Sequence, residues 1–215
     1  MDGGFFYIIS AGDLCDGDLP VRLSEGDFLC AADAGYLHLL RAGQRPGLVI
    51  GDFDSMEITK IPADLEHIIL PEVKDDTDTI YAVREGFRRG YRKFRIFGAL
   101  GGIRVSHSIA NIQLLTMIRD LGGEGELLAG TTRLLIGSTG SETVFEGDRE
   151  GFLSVFSLTE RSEVSIRGMY YTLDHGQLIR SYPLGVSNHF TGETAVITVH
   201  LGEVLFVEER VSAAV

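Results

Sequence analysis

Short runs of consecutive apolar residues alternate with segments of helical spacing from the N-terminus to about Gly123. The apolar runs occupy residues 5–9, 28–32, 48–50, 67–70 and 94–97. Helical spacing of apolar residues follows Gly35, follows Asp78 as far as Gly90, and follows Ser106 as far as Gly122. Strands that are apolar on both faces and separated by helices are typical of a parallel sheet covered on both sides. The pattern therefore predicts a mostly parallel, three-layer α/β domain.

A different rhythm follows Gly125, where short β-like runs are divided by Gly, Ser, Asn and Asp. These runs lie at residues 134–136, 152–156, 164–166 and 195–199, and no segment there has a helical period. The close junction at residues 201–204 predicts a hairpin turn. We expect a smaller all-β sandwich or barrel, which divides the chain into residues 1–125 and 126–215.

Composition narrows the possible partners. The chain has 215 residues and a formal net charge of −12, which argues against a protein that coats nucleic acid. Its two cysteines, Cys15 and Cys30, form no metal-binding or redox pattern, and both are expected to be reduced. The apolar run at residues 5–9 is too short for a signal peptide or a membrane span. We predict a cytoplasmic protein with neither membrane nor nucleic-acid partners.

Carboxylates are concentrated in two places, each beside a predicted strand end or helix start. Asp52 and Asp54 follow the apolar run at 48–50, while Asp75 and Asp78 precede a helix. Crowded carboxylates repel one another unless a hard divalent cation lies between them, and oxygen ligands of this kind suit Mg²⁺ with substrate phosphates. The two clusters together predict magnesium-assisted phosphate chemistry.

Simpler explanations exist for the same residues. Asp54 could cap a helix from a solvated loop, and Thr77 or Asp76 could be no more than an N-cap. Lys74 could reach a phosphate oxygen or simply neutralise Asp75.

A glycine-rich turn at residues 98–104 is the third candidate element. Glycine permits a positive φ and close approach of the backbone to a ligand, so Gly101 and Gly102 could form an anion-binding nest. Arg104 could bind phosphate in a bidentate manner, and His107 could bind phosphate or relay a proton. Alone, such a turn usually means only a tight connection.

Taken together, these motifs resemble the thiamine pyrophosphokinase family. The matching residues, in order, are Asp33-x-Gly35, Gly51-Asp52-Phe53-Asp54-Ser55, Lys74-Asp75-x-Thr77-Asp78-Thr79, Gly98-x-x-Gly101-Gly102-x-Arg104-x-x-His107-x-x-x-Asn111, and Ser187-Asn188. The resemblance implies transfer of a pyrophosphoryl group from ATP to the hydroxyl of thiamine, with release of AMP. It also implies a catalytic α/β domain that binds ATP and Mg²⁺, a β-rich thiamine-binding domain, and a homodimer with its active site at the subunit interface.

The resemblance also implies a role for each matching residue. The implied catalytic residues are Asp52, Asp54, Asp75, Asp78 and Arg104, and three of them, Asp52, Asp54 and Asp78, would hold Mg²⁺. The implied substrate-binding residues are Asp33 and Gly35 at the nucleotide, Lys74, Thr77, Gly101, Gly102 and His107, with Ser187 and Asn188 at thiamine.

Two departures from the family pattern keep alternatives open. Ser106 stands where the family usually has Asp, and His189 stands where Glu is common. The chain has no Trp to stack on thiamine, so Phe190 and Tyr182 are the nearest replacements. The alternatives are a related diphosphokinase for another heterocyclic alcohol, or a non-catalytic nucleotide- or thiamine-binding protein weakened at Ser106.

Overall fold

The chain forms two compact units, Met1–Gly130 and Thr131–Val215. The computed structural model describes residues 3–14, 19, 23–53, 61–102 and 104–211. The boundary expected at residue 125 falls inside Glu124–Ala129, a strand of the first unit. That strand begins with the polar sequence Glu-Gly-Glu, so the pattern of apolar runs ends before the first unit ends.

The first unit is an α/β sheet structure in which every strand pair is parallel among the described residues. The strands lie in the order β4-β3-β2-β1-β5-β6. In chain order, the elements are β1 (Phe5–Ile9), β2 (Phe28–Ala32), α1 (Gly35–Arg41), β3 (Leu48–Gly51), β4 (His67–Ile69), α2 (Asp78–Arg88), β5 (Lys93–Phe97), α3 (Val105–Asp120) and β6 (Glu124–Ala129).

Helices cover both faces of this sheet. Alternate residues of a strand point to opposite faces. On one face, Tyr7 and Ile9 of β1 pack in a core with Tyr36 of α1. On the other face, a Cβ added at Gly86 of α2 would lie 2.5 Å from the Phe94 ring, so this helix lies directly against β5. The α/β fold class predicted from the apolar runs is confirmed.

The second unit contains two antiparallel sheets. Its strands are β7 (Thr132–Ser138), β8 (Glu142–Phe145), β9 (Gly151–Ser157), β10 (Arg161–Arg167), β11 (Leu173–Ile179), β12 (Gly185–His189), β13 (Ala195–Leu201) and β14 (Glu203–Arg210). One sheet has the order β12-β9-β14-β7 and the other β11-β10-β13-β8. Val155 and Phe206 from the first sheet share a buried core with Val164 and Ile197 from the second. This is the sandwich alternative of the prediction, and the residues described in 131–211 contain no helix.

Two local predictions were wrong. The Leu201–Val204 junction is not a hairpin, because β13 pairs with β10 and β8 whereas β14 pairs with β7 and β9. Gly202, with φ 79°, instead turns the chain from one sheet into the other. The third helix begins at Val105 rather than Ser106, and no side chain caps it.

None of the helices in the described ranges has the length and apolarity needed to cross a membrane.

Candidate active site

An open cleft of about 670 Å³ lies at the carboxyl ends of the parallel strands in the first unit. The sheet order reverses here, since β2, β3 and β4 extend to one side of β1 while β5 and β6 extend to the other. Open α/β sheets bind ligands at such a switch point. The predicted site residues that line the cleft are Asp33, Asp52, Thr77, Asp78, Gly101, Gly102, Arg104 and His107.

A partly buried cluster of charges adjoins this cleft. Asp52 directly follows β3, and Asp78 is the first residue of α2. The ammonium group of Lys74 forms an ion pair with Asp52 Oδ2 and lies 3.0 Å from Asp78 Oδ1. The side chains of Lys74, Asp52 and Asp78 are only 9%, 12% and 22% exposed. Of the two roles open to Lys74 in the sequence, the structure shows neutralisation, but of Asp52 and Asp78 rather than the exposed Asp75.

This cluster holds two carboxylates and one ammonium group, and its pKa shifts reflect both burial and these charges. Burial raises the pKa of Asp78; Lys74 opposes the shift, while the charges of Asp52 and Asp33 add to it. Burial by itself would lower the pKa of Lys74, but hydrogen bonds and charges from Asp52 and Asp78 outweigh it and raise that pKa. One ammonium group therefore leaves the carboxylates incompletely neutralised, and a further cation would be favoured here.

The backbone is strained where two of the motifs meet. Asp33 and Phe53 have φ values of 48° and 59°, a left-handed conformation that is uncommon for residues other than glycine. A Cβ added at Gly51 would lie 3.0 Å from the Asp33 Cα, so a larger residue at this position would push the ends of β2 and β3 slightly apart. Strain of this kind is concentrated at functional sites.

The glycine-rich turn after β5 is anchored from both sides. Gly12 N–H donates to the Gly98 carbonyl at 2.8 Å, and a Cβ at Gly98 would lie only 2.4 Å from the Ser10 carbonyl oxygen. From α3, Asn111 Nδ2 donates to the Ala99 carbonyl at 2.8 Å. The turn is thus held rigidly against the loop that follows β1.

One donor of the predicted anion nest is already used. Gly101 N–H donates to Ser108 Oγ at 3.1 Å. Gly101 and Gly102 both have positive φ, at 81° and 77°. Arg104 and His107 are exposed and also line the cleft. The Arg104 guanidinium therefore offers positive charge to an anion beside the two glycines.

Thr77 has the capping role that the sequence left open. Its hydroxyl accepts a hydrogen bond from Ile80 N–H at 3.4 Å, and its backbone is extended, as expected for an N-cap. Ser10 Oγ and Thr79 Oγ1 lie 2.9 Å apart in the buried floor below it. The start of α2 is therefore fixed relative to β1, which fixes the position of Asp78.

Besides Lys74 and the two predicted residues of the second unit, three predicted residues are not among those described as lining the cleft. Gly35 is buried at the start of α1, where a Cβ would lie 1.9 Å from the Ile9 carbonyl oxygen, so close packing of helix on strand requires this glycine. Asp75 is exposed in the loop before α2. Asp54 lies outside the described residues. Their functional roles stay predictions.

The Ser187-Asn188 element lies on β12 of the second unit. Asn188 is buried, and its side-chain oxygen accepts from Tyr171 N–H at 2.9 Å while its Nδ2 donates to the Tyr171 carbonyl at 2.7 Å. Ser187 is exposed and has φ 56°. Asn188 thus fixes the backbone of Tyr171, whose side chain is 60% exposed.

Tyr171 was missed in the sequence because its partner is 17 residues away. Of the aromatic residues considered from the sequence, Phe190 packs against the core of the second unit, whereas Tyr182 is exposed. Tyr170 packs edge-on against Tyr171, with ring centroids 4.9 Å apart. The two adjacent tyrosines at residues 170 and 171 were the signal in the sequence that could have found this pair.

The described residues contain no group of three or more His, Cys, Asp or Glu side chains placed to hold a metal ion. Asp52 and Asp78 nevertheless converge on one point, since both contact the ammonium of Lys74. Mg²⁺ commonly takes one or two protein carboxylates together with water and substrate phosphates. The donor set therefore fits such a cation. The ammonium group of Lys74 lies at the point where the two carboxylates favour a positive charge.

The fold and the site define a class: a two-unit enzyme with an acidic cleft at the switch point of an α/β sheet and a separate β-sandwich. Residues 20–122 match the family model described as thiamin pyrophosphokinase, catalytic domain. Residues 143–205 match the model described as thiamin pyrophosphokinase, vitamin B1 binding domain.

Individual relatives agree with these matches. The thiamine pyrophosphokinase of Bacillus subtilis (strain 168) is 27% identical over 178 residues, which cover 80% of this chain and 82% of the relative. The crystal structure of the Bacillus subtilis thiamine pyrophosphokinase superimposes with a TM-score of 0.85 at 23% identity, covering 97% of this chain and 100% of that one. The crystal structure of a thiamin pyrophosphokinase family protein from Enterococcus faecalis superimposes with a TM-score of 0.82 at 26% identity, covering 98% of this chain and 100% of that one. The chain belongs to the thiamin pyrophosphokinase family of enzymes.

Proposed function

We propose that the protein transfers a pyrophosphoryl group from ATP to the hydroxyl of thiamine, giving thiamine diphosphate and AMP with Mg²⁺ as the cofactor. The observation that carries this proposal is that Asp52 and Asp78, which both line the switch-point cleft, converge on one ammonium group, that of Lys74. The order of the two matched models, catalytic and then vitamin B1 binding, supports the same assignment.

The reaction makes specific demands on the cleft. The alcohol oxygen of thiamine attacks the β-phosphorus, the bond from that phosphorus to the oxygen bridging the α-phosphorus breaks, and AMP leaves with that oxygen. Little covalent chemistry is asked of the protein, so catalysis consists mainly of in-line positioning and charge neutralisation. Mg²⁺ held by Asp52 and Asp78, with Asp54 as the third predicted ligand, would neutralise phosphate charge.

Two further side chains that line the cleft complete the proposed arrangement. Arg104 is exposed at the cleft and can bind phosphate oxygens in a bidentate manner. His107 also lines the cleft, and imidazole is the side chain that most readily exchanges protons near neutral pH. We assign Arg104 to the triphosphate and His107 to a phosphate oxygen or to the proton released by the alcohol.

For thiamine, the second unit supplies an aromatic surface. The exposed Tyr171 ring, fixed through Asn188, suits stacking against a flat cationic heterocycle. Asn188 then acts through Tyr171, because both of its polar side-chain atoms bond to the Tyr171 backbone. Ser187 is exposed and can contact the substrate directly.

The proposal is tested by incubating the purified protein with ATP, Mg²⁺ and thiamine. AMP and thiamine diphosphate should form in equal amounts. Formation of ADP or free phosphate instead would reject the proposed reaction.

A second candidate is a diphosphokinase for another heterocyclic alcohol, which the departures at Ser106 and His189 favour. Ser106 is exposed at the start of α3, one turn before Asn111. A panel of hydroxymethyl and hydroxyethyl heterocycles, assayed for AMP formation, separates the two candidates. An acceptor that outperforms thiamine would establish the second.

Ser106→Asp tests whether turnover has been weakened in this chain. If the missing carboxylate limits catalysis, the variant should gain at least tenfold in kcat, a difference of about 1.4 kcal/mol in the barrier. An unchanged kcat would remove the reason for considering a non-catalytic binding protein.

The homodimer and its shared active site are also proposals, and the cytoplasmic location stays a prediction. Asp52→Asn, which should be inactive, and Tyr171→Ala, which should have low activity at thiamine concentrations below its raised KM, can be mixed after partial dissociation. A site built from two subunits should recover part of the activity in mixed dimers, whereas a site within one subunit should recover none.

A further inference from the structure

The ammonium group of Lys74 stands between the two carboxylates that are assigned to the metal. It forms an ion pair with Asp52 Oδ2 and lies 3.0 Å from Asp78 Oδ1. With its side chain only 9% exposed, the group has exchanged most of its water for these oxygens. Such a buried pair is costly to break on one side alone, because the partner left behind is a buried, unpaired charge.

A divalent cation that binds between these carboxylates competes with Lys74. The ammonium group contacts Asp52 Oδ2 and Asp78 Oδ1, one oxygen of each carboxylate. Two positive charges cannot share these oxygens at close range without strong repulsion, which is little screened at partly buried sites. Metal binding through these two oxygens therefore requires Lys74 to move.

Lys74 can leave only if another anion replaces the carboxylates. Its side chain is a flexible four-carbon stem carrying a point charge, a type of group that commonly binds phosphate. Its partners Asp52 and Asp78 line the cleft together with Arg104 and His107, where the proposed triphosphate would lie. A phosphate oxygen from that ligand is the replacement that the cleft offers.

We propose that Lys74 is a positioning residue that blocks divalent-cation binding by Asp52 and Asp78 until a nucleotide phosphate draws its ammonium group away. This inference rests on the proposed function, since it needs both a divalent cation and a phosphate-bearing substrate. Free protein then binds the cation weakly, and the cation and the nucleotide favour each other's binding by the same factor.

The test measures Mn²⁺ binding to the nucleotide-free protein by titration, with the signal of free Mn²⁺ in electron paramagnetic resonance as the readout. Lys74→Gln removes the competing charge, so its Mn²⁺ affinity should exceed that of the wild type by on the order of tenfold, the equivalent of about 1.4 kcal/mol. Lys74→Arg keeps the charge and should stay near the wild type. Lys74→Met retains the aliphatic stem and repeats the measurement if Gln disturbs the loop.

Arg84→Gln is the matched control. Arg84 lies on α2 and pairs with Asp76 at 2.9 Å, with 57% of its side chain exposed. The substitution removes the same charge from the same region without touching Asp52 or Asp78. If long-range charge alone matters, both variants gain Mn²⁺ affinity equally, and that result would overturn the proposal.

The remaining outcomes separate this inference from the proposed reaction. With α,β-methylene-ATP, whose scissile bridge cannot be cleaved, wild-type protein should bind the Mn²⁺ complex much more tightly than either component, while Lys74→Gln should lose most of this coupling. Equal or weaker Mn²⁺ affinity in Lys74→Gln, or no Mn²⁺ binding in any variant, overturns the role of Lys74. AMP formation from thiamine by the wild type would still support the reaction in that case. Stronger Mn²⁺ binding in the variant without AMP formation by the wild type would overturn the reaction alone.

Discussion

Glu208 of the second unit is a buried carboxylate surrounded by guanidinium groups, and its removal should destabilise the protein strongly. Its side chain is 0% exposed; Oε1 pairs with Arg149 and lies 2.9 Å from Arg210 Nε, while Oε2 lies 3.5 Å from Arg133 Nη1. The Arg149 and Arg133 side chains are 16% and 25% exposed, whereas that of Arg210 is 52% exposed. Two of the three partners are therefore largely withdrawn from water.

The size of the effect follows from that burial. Breaking a buried ion pair by removing one partner costs about 3–5 kcal/mol, because the other charge stays buried and uncompensated. The exposed pair with Arg210 adds at most about 1 kcal/mol. Glu208→Gln keeps the shape and some hydrogen bonding, so we expect the lower end, about 3 kcal/mol. For a chain of this size, that corresponds to a fall of roughly 6–12 °C in melting temperature.

Scanning calorimetry at neutral pH is the suitable assay, because it resolves the two units if they unfold separately. Glu209→Gln is the matched control, since Glu209 is the next residue on the same strand and is exposed. This substitution should change the unfolding free energy by no more than about 0.5 kcal/mol. Equal shifts for the two variants would refute the reasoning and show that the buried charges contribute nothing.

The same cluster predicts a pH dependence with a definite sign. Burial tends to raise the pKa of Glu208, but hydrogen bonds and charges from Arg210 and Arg149 outweigh burial and hold the pKa below its ordinary value. A depressed pKa gives stability that is present above the unfolded carboxyl pKa of about 4.3 and is lost as the pH falls through the folded value. The difference in unfolding free energy between the wild type and Glu208→Gln should therefore be largest near neutral pH and shrink below about pH 4. A difference that persists unchanged at pH 3 would contradict this account.

Three further changes test the site. Asp78→Asn should lower kcat by on the order of a hundredfold. It should shift the melting temperature by only a few degrees, since burial and neighbouring carboxylates already disfavour the charge of Asp78. Near-normal turnover would contradict the proposed role of Asp78 in holding the cation. Tyr171→Ala should raise KM for thiamine by roughly tenfold and leave kcat nearly unchanged, whereas Tyr182→Ala should alter neither; the reverse pattern would place stacking at Tyr182. Gly98→Ala should destabilise the protein by about 1–3 kcal/mol more than Gly90→Ala. Both glycines have a positive φ, but only at Gly98 would the added Cβ clash, 2.4 Å from the Ser10 carbonyl oxygen. Equal urea midpoints for the two variants would show that the clash is relieved.

The sequence by itself determined the first unit well. The runs that became β1, β2 and β3 are apolar on both faces, because helices cover both sides of the sheet, and that property is local. The second unit was less readable. β11 and β12, with the sequences Leu-Asp-His-Gly-Gln-Leu-Ile and Gly-Val-Ser-Asn-His, have mostly exposed residues and so lack an apolar run.

The positions of the acidic motifs were also predictable, because polar residues after buried strands mark the ligand-binding edge of an open sheet. Which groups meet there was not predictable. Lys74 reaches Asp52 across 22 residues rather than its neighbour Asp75, and Asn188 fixes Tyr171 across 17 residues. The pairing of β13 and β14 with different sheets is of the same kind.

Local sequence thus determined which segments are buried and where the chain turns, since burial and turn geometry depend on neighbouring residues. Only the tertiary structure decided the partners of Lys74, Asn188 and Glu208. These are contacts between residues distant in the chain, and they form because the sheets bring particular strand ends and helix starts within a few ångströms of one another.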